Sequence, residues 1–442
     1  MADPELVRFT LDNGLRVVLA PDATAPVVGV SVHYDVGFRS EPEGRTGFAH
    51  LFEHLMFQGS ESLEKLAHFR HVQSSGGTFN GSTHPDYTDY FEVLPAAALE
   101  RALFLEADRM RAPKLTQENL ANQIDVVKEE IRLNVLNRPY GGFPWILLPP
   151  VLYQTFPNAH NGYGGFEDLE QASLDDCAAF FDTYYSPANA VLTVAGDFAE
   201  ANARELIEKH FGDVPYRPAP VRPSFAEPVP DGELRGEETD PHAPLPALAV
   251  GYRMPDPIND VDGYLAHLVL AGLLTDGDGS RLQQRLVHRE PLVVDIGAGA
   301  GLFGPFEARD PDTFTITAIH PPDVTTEQVL AALDDELEKL AANPPDEQEL
   351  RRVTARWESS LHSEHDRLVS RTLALGAFEL LYGDASLVYR LADRMAAVTA
   401  EAVSGAAKSL RPDSRAVLVI RPSGAEPNGA EPSATEQEGA EQ

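Results

Sequence analysis

Cysteine, positive charge and unbroken apolar stretches are all scarce in this sequence, and each shortage closes off a class of protein. One cysteine, Cys177, occurs in 442 residues, so no internal disulfide can form. Its place in an apolar-periodic segment reads as a buried small side chain and not as a nucleophile. Apolar runs such as Ala190 to Ala195 fall far short of the ~20 residues a helix needs to cross a bilayer, which argues against a membrane span. The opening Met-Ala-Asp-Pro-Glu has neither the basic flank nor the apolar stretch of a secretory signal, so the expected location is cytoplasmic. Lysine and arginine number 35 against 69 aspartates and glutamates, a formal net charge of -34. A field of that sign repels phosphate backbones and excludes nucleic acid as the expected partner. It could favour basic peptides, although a solvated acidic surface is the plainer reading.

What remains is ordinary globular material: 43% hydrophobic and 24% charged residues, in a chain long enough for more than one domain. Leu6 to Thr10 and Leu15 to Leu19 flank Asp12-Asn13-Gly14, a hairpin signal because Asn-Gly tolerates the positive φ of a tight turn. Strands are expected at Val27 to Val36, Thr88 to Leu94 and Ala190 to Ala195. Helices are expected at Thr46 to Phe57 with Thr46 as cap, and at Ala96 to Arg109, Thr116 to Asn137, Ser173 to Tyr184 and Ala199 to His210. After a proline-rich, charged stretch the mixed pattern returns, with strands near 247–252, 293–297 and 313–319 and helices near 264–274, 326–341, 347–382 and 400–410. Ser173 precedes Ala190-Val191-Leu192 by the same seventeen residues that separate Thr399 from Ala416-Val417-Leu418, an offset of 226 that points to an internal duplication. The fold class expected is α+β in two similar halves, residues 1–213 and 245–422. A connector over 214–244 would join them, and an acidic tail over 423–442 with no large apolar side chain would be disordered.

One cluster carries chemistry. Within the helix at Thr46 to Phe57 stands His50-Leu51-Phe52-Glu53-His54. At about 100° per residue the two histidines lie one turn apart with Glu53 beside them, so all three can point at one spot. Paired imidazoles are natural zinc ligands, and an adjacent carboxylate can take a proton from water. The order H-x-x-E-H is the inverted zinc-peptidase motif. Its apolar neighbours Leu51, Phe52, Leu55, Met56 and Phe57 disfavour three polar side chains without a metal or partner. A catalytic zinc takes a third protein ligand, and the helix at Thr116 to Asn137 offers Glu129 and Glu130; helical geometry does not choose between them.

Three segments carry a resemblance. Gly37 to Glu41, Gly47 to Gly59, and Asp125 to Glu130 with Asn137-Arg138-Pro139-Tyr140-Gly141 resemble the M16 (insulinase/pitrilysin-like) metallopeptidases, most closely the M16B branch related to the catalytic beta subunit of mitochondrial processing peptidase. The resemblance covers the chain to about Pro422 and implies two homologous halves of the LuxS/MPP-like metallohydrolase type. It also implies a zinc-dependent endopeptidase acting on unfolded peptides or leader segments, with His50, His54 and Glu130 holding Zn2+ and Glu53 as general base. By the same resemblance Thr78, Phe79, Asn80, Gly81 and Ser82 form a substrate-binding edge strand, with Asn80 near the scissile bond.

Two departures qualify that picture. Where many relatives carry a second glutamate before the third ligand, this chain has Gln123, which can hydrogen-bond but brings no charge. Relatives that act alone place an arginine and a tyrosine after a Ser-Arg-Leu segment. Here Ser280-Arg281-Leu282 is followed by Val287 and Val294 at those positions, and no tyrosine occurs between Ser280 and Gly301. The counterpart of the zinc motif by the 226-residue offset, Asp276 to Ser280, has no histidine. The expectation is therefore a split site: this chain carries the metal, and a homologous partner subunit supplies the arginine and tyrosine in a heterodimer, with a homodimer as the other possibility. The rival reading is a non-catalytic structural or binding subunit. His362 and His365 on the long second helix read as a surface face, and the glycines of Gly297 to Gly301 lack the lysine of a phosphate loop.

Overall fold

The computed structural model describes residues 6–423, so all but the first residue of the expected tail lies outside the described residues. Strands β1 (Val7–Thr10), β2 (Arg16–Pro21), β3 (Val27–Tyr34), β4 (Thr78–Thr83), β5 (Thr88–Pro95) and β6 (Ala190–Gly196) form one sheet in the order β1-β2-β6-β3-β5-β4. The helices of this half are α1 (Phe48–Leu55), α2 (Ala67–Ser74), α3 (Leu99–Arg111), α4 (Gln117–Ile131), the short α5 (Pro149–Leu152), α6 (Phe156–Ala159) and α7 (Phe166–Glu170), then α8 (Leu174–Tyr184) and α9 (Glu200–Phe211). The second sheet comprises β7 (Leu234–Asp240), β8 (Ala247–Arg253), β9 (Asp295–Ala300), β10 (Thr313–Ile319) and β11 (Arg415–Pro422) in the order β7-β11-β8-β10-β9. With it go α10 (Val261–Thr275), α11 (Thr326–Ala342), α12 (Glu347–Asp366), α13 (Leu368–Tyr382), α14 (Leu387–Ala396) and α15 (Ala400–Ser409).

The duplication is topological. Strands β2, β6, β3, β5 and β4 map one to one on β7, β11, β8, β10 and β9, and among the described residues each sheet has a single parallel pair, β2 with β6 and β7 with β11. Residues 234–240 of the expected connector are thus the edge strand β7, a polar strand hidden from periodicity because one of its sides lacks a neighbour. By the same mapping the counterpart of α1 is α10 and not Asp276 to Ser280, since α1 follows β3 and precedes the edge strand β4 as α10 follows β8 and precedes the edge strand β9. In α10 the stretch Tyr264 to Leu274 is buried and apolar apart from His267, which bonds Gly263 O and Ser409 Oγ.

Each half covers the other's sheet. The helix expected to run unbroken over 347–382 stops at Asp366; Arg367, at φ −77° and ψ 119°, starts a new one. That turn lays α13 across the first sheet, on the face opposite Val28, Val30, Val32 and Tyr34. There a Cβ on Gly29 would stand 2.4 Å from Thr372 Oγ1, and one on Gly376 would stand 2.4 Å from the His33 ring. In return Leu148, Leu152 and Tyr153 from the first half pack on Ala247, Ala249, Ala416, Leu418 and Ile420 of the second sheet. Arg39 bonds Asp86 (Nε to Oδ1, 2.9 Å) in its own half and the carbonyls of Arg309 and Pro311 in the other.

Candidate metal centre

Helix α1 is seated by a carboxylate and not by the threonine expected to cap it. Gly47 adopts the left-handed region at φ 80°, and buried Glu41 accepts hydrogen bonds from Gly47 N (2.9 Å) and Ala49 N (2.7 Å), two of the N–H groups a helix start leaves without partners. Thr46 instead donates to Asp168 Oδ2 (2.6 Å) and accepts from Gly165 N (3.0 Å). This fastens the loop carrying Tyr163 to the helix start. The fit leaves no room for a side chain at Gly47, whose Cβ would lie 2.4 Å from Tyr163 O.

From this seat α1 presents His50 and His54 with ring centroids 4.8 Å apart at 89°. Across from them α4 presents Glu130, with Oε1 3.8 Å from His50 Nε2 and Oε2 3.5 Å from His54 Nε2. One donor atom from each of the three lies within 4.8 Å of the others. Glu129, the alternative left open by the sequence, is exposed and pairs with Arg132 at 3.2 Å. Gln123 is buried on the same helix, bonds the His54 side chain, and donates to Asn122 (2.9 Å). Tyr163, which sequence reasoning did not single out, donates from its hydroxyl to Glu130 Oε1 (3.1 Å) and stands edge-on to His50. No periodicity marks such a loop residue.

Glu53 points at the edge strand. Its Oε2 accepts from Thr83 Oγ1 (2.6 Å), and a Cβ on Gly81 would come within 3.2 Å of its Cγ. Burial pushes the Glu53 carboxyl up to about 7, against the opposing pull of the Thr83 hydroxyl and His54. Burial and the neighbouring His54 push His50 down to about 4, which leaves it neutral, the form that binds metals. His54 is raised: its contacts with Glu130 and Glu53 outweigh a larger single effect of burial. Glu130 is held below the usual carboxylate range, chiefly by His54.

Thr78, Phe79, Asn80, Gly81 and Ser82 all fall on β4, the last strand of the first sheet, which pairs on one side only, with β5, among the described residues. Phe79 stacks on Phe69 at 4.6 Å, while Asn80 is exposed. In the second half Val287 packs against the core and Val294 is exposed; Arg281 and Arg285 are bound to Glu349 and Asp335. His362 lies near Glu358 on the surface. Cys177 is buried, its thiol pushed up to about 12 by that burial, so it is no nucleophile. A second convergent trio, His68, Glu92 and Glu106, is wholly buried, but Arg109 already bonds Glu106 there (Nε to Oε2, 2.9 Å) and lies over the Tyr90 ring. An arginine so placed repels a cation, and the trio forms a charge network behind α1.

Residues 16–138 match the family described as insulinase (peptidase family M16), and residues 171–356 match the peptidase M16 inactive domain. Zinc protease PqqE of Helicobacter pylori is 31% identical over 340 residues, 76% of this chain and 75% of that protein. This chain belongs to peptidase family M16. Among other M16-like sequences, a probable mitochondrial-processing peptidase subunit beta of Arabidopsis thaliana is 24% identical over 57% of this chain and 47% of its own length. The crystal structure of a protease from Helicobacter pylori superposes with a TM-score of 0.87 at 26% identity, covering 95% of this chain and 100% of that one. The inactive-domain match runs from the end of the first half through α10 of the second, whose sequence has no H-x-x-E-H.

Proposed function

We propose that this M16 chain is the zinc-carrying catalytic subunit of an endopeptidase that cuts extended peptides. One observation carries the reading: two imidazoles and the Glu130 carboxylate offer donor atoms within 4.8 Å of one another, with a second, buried carboxylate, Glu53, beside them on the same helix as the histidines. The set fits zinc, because it offers two imidazole nitrogens and one anionic oxygen, and Arg132, the nearby cation on this stretch, is paired with Glu129. Zinc held there would act as a Lewis acid on a water and on the scissile carbonyl.

The chain's own groups do the rest. The free edge of β4 takes the peptide as an added strand, through main-chain hydrogen bonds. Thr83 holds one Glu53 oxygen and leaves the other to receive a proton from the attacking water, and Glu53 returns that proton to the leaving amine. A carboxyl near 7 suits both steps. Val287 and Val294 stand where relatives that act alone place an arginine and a tyrosine, and no tyrosine occurs between Ser280 and Gly301, so in this reading a homologous partner supplies the pair. Likeness to a processing-peptidase beta subunit supports that arrangement, and the matched inactive domain, residues 171–356, supports the rival scaffold role without including α1 or α4.

Glu53→Gln separates these readings. Cleavage of a quenched peptide is expected to fall by about 10²- to 10⁴-fold while bound zinc, measured by elemental analysis, stays at wild-type level. Unchanged cleavage rejects the peptidase reading, and full activity of the purified chain without a partner rejects the split site.

A further inference from the structure

Side chains alternate across β4, and the two faces lead to different places. Gly81 and Thr83 face Glu53. Ser82, opposite Asp89 of β5, faces the other way, into a cavity of about 420 Å³ closed by the second half. Its apolar walls are Leu268 of α10, Trp357 of α12, Ala374 and Phe378 of α13, and Leu391 and Met395 of α14, and Glu364 and the half-buried His365 of α12 line it as well. At its β4 end His84 lies between Asp89 (Nε2 to Oδ1, 3.5 Å) and Glu307 (Nδ1 to Oε2, 3.2 Å). The second oxygen of Asp89, a residue 2% exposed, is buried and has no hydrogen-bond partner among the described residues. A buried acceptor left unpaired costs about 1–3 kcal/mol, so it marks a place where a donor belongs.

We propose that this cavity is a specificity pocket for one side chain of the peptide laid on β4, and that it selects an aromatic residue bearing a hydrogen-bond donor, tyrosine or tryptophan. The inference rests on the strand-addition reading above. A residue added opposite Ser82 directs its side chain to the same face as Ser82, with Cβ atoms about 5 Å apart, and so into the cavity. Its neighbours in the peptide point to the face of Glu53 and the metal ligands. The apolar walls and the volume suit a ring in place of a short side chain. The unpaired Asp89 oxygen favours a ring with an O–H or N–H over phenylalanine, and because Asp89, Glu307 and Glu364 also line the cavity, an arginine peptide is the control that sets charge against ring shape.

Affinity is measured by fluorescence anisotropy on the full chain carrying Glu53→Gln, using labelled peptides that differ at one position: Tyr, Trp, Phe, Arg or Ala. The Tyr and Trp peptides are expected to bind at least tenfold tighter than the Ala peptide and severalfold tighter than the Phe peptide. Ala374→Phe, which fills the cavity, should bring the Tyr-to-Ala ratio close to one. Equal binding across the series, strongest binding of the Arg peptide, or a ratio untouched by Ala374→Phe overturns the pocket; parity of Phe with Tyr overturns the role of Asp89. Because binding is read without turnover, a wild-type chain that cleaves nothing even together with its partner subunit would defeat the peptidase reading while the peptide preference still decides for or against the pocket.

Discussion

Tyr163 shows how far a single side chain can set the geometry of the candidate metal centre. Its hydroxyl occupies one oxygen of Glu130 at 3.1 Å, and the loop that carries it is fixed by Asn161 Oδ1, which accepts from Tyr163 N at 3.0 Å. Tyr163→Phe removes that hydrogen bond and little volume. Zinc affinity, measured by competition with a chromophoric chelator, is expected to fall about tenfold, in the range found when ligand-supporting hydrogen bonds are lost. The H-x-x-E-H spacing made His50, Glu53 and His54 legible in the sequence, because residues one turn apart on a helix must share a face. Glu129 and Glu130 were indistinguishable there, being adjacent on one helix; the packing of α4 against α1 turns Glu130 inward and leaves Glu129 to Arg132. Glu41, six residues before Gly47, takes over the capping role that local sequence gives Thr46, because a buried carboxylate near a helix start outcompetes a hydroxyl for two N–H groups.

Among the elements, α13 carries the second half onto the first sheet, and its two glycine contacts test the packing. In an exposed helix Gly→Ala gains about 1 kcal/mol from propensity. At Gly376 the new Cβ would meet His33 at 2.4 Å, and overpacking of about 1–3 kcal/mol outweighs that gain. Gly376→Ala should therefore lower the urea midpoint of unfolding. Gly405→Ala on α15, where nothing lies within 4 Å, should raise it. Equal shifts in the two variants would mean that α13 is not pressed against the first sheet. The break between α12 and α13 was invisible to periodicity, since both segments are helical. It follows from where α13 must lie to cover Gly29 and His33.

For the whole molecule, the joint between halves carries a pH signature. His84 of the first half lies between Asp89 of its own half and Glu307 of the second. Burial alone would lower its pKa, yet the contacts with Asp89 and Glu307 raise it to about 9. A raised pKa means that the folded state holds the proton more tightly than the unfolded chain. This contribution is full below about pH 6.5 and fades as pH rises through about 9. Unfolding free energy is expected to drop by on the order of 2 kcal/mol between those limits. His84→Gln should flatten that part of the profile, and a profile unchanged by the substitution would remove His84 from the joint.

The sequence by itself determined the α+β class, the doubled pattern and the helix that carries two histidines and a glutamate. These are local facts, fixed by periods of two and 3.6 residues and by turn chemistry. Tertiary structure decided that residues 234–240 close the second sheet, that each half covers the other's strands, that Tyr163 reaches Glu130, and that Ser82 opens on a cavity between the halves. Those facts join residues far apart in the chain, and the packing of one apolar surface on another, which selects them, leaves no periodic mark in either segment alone.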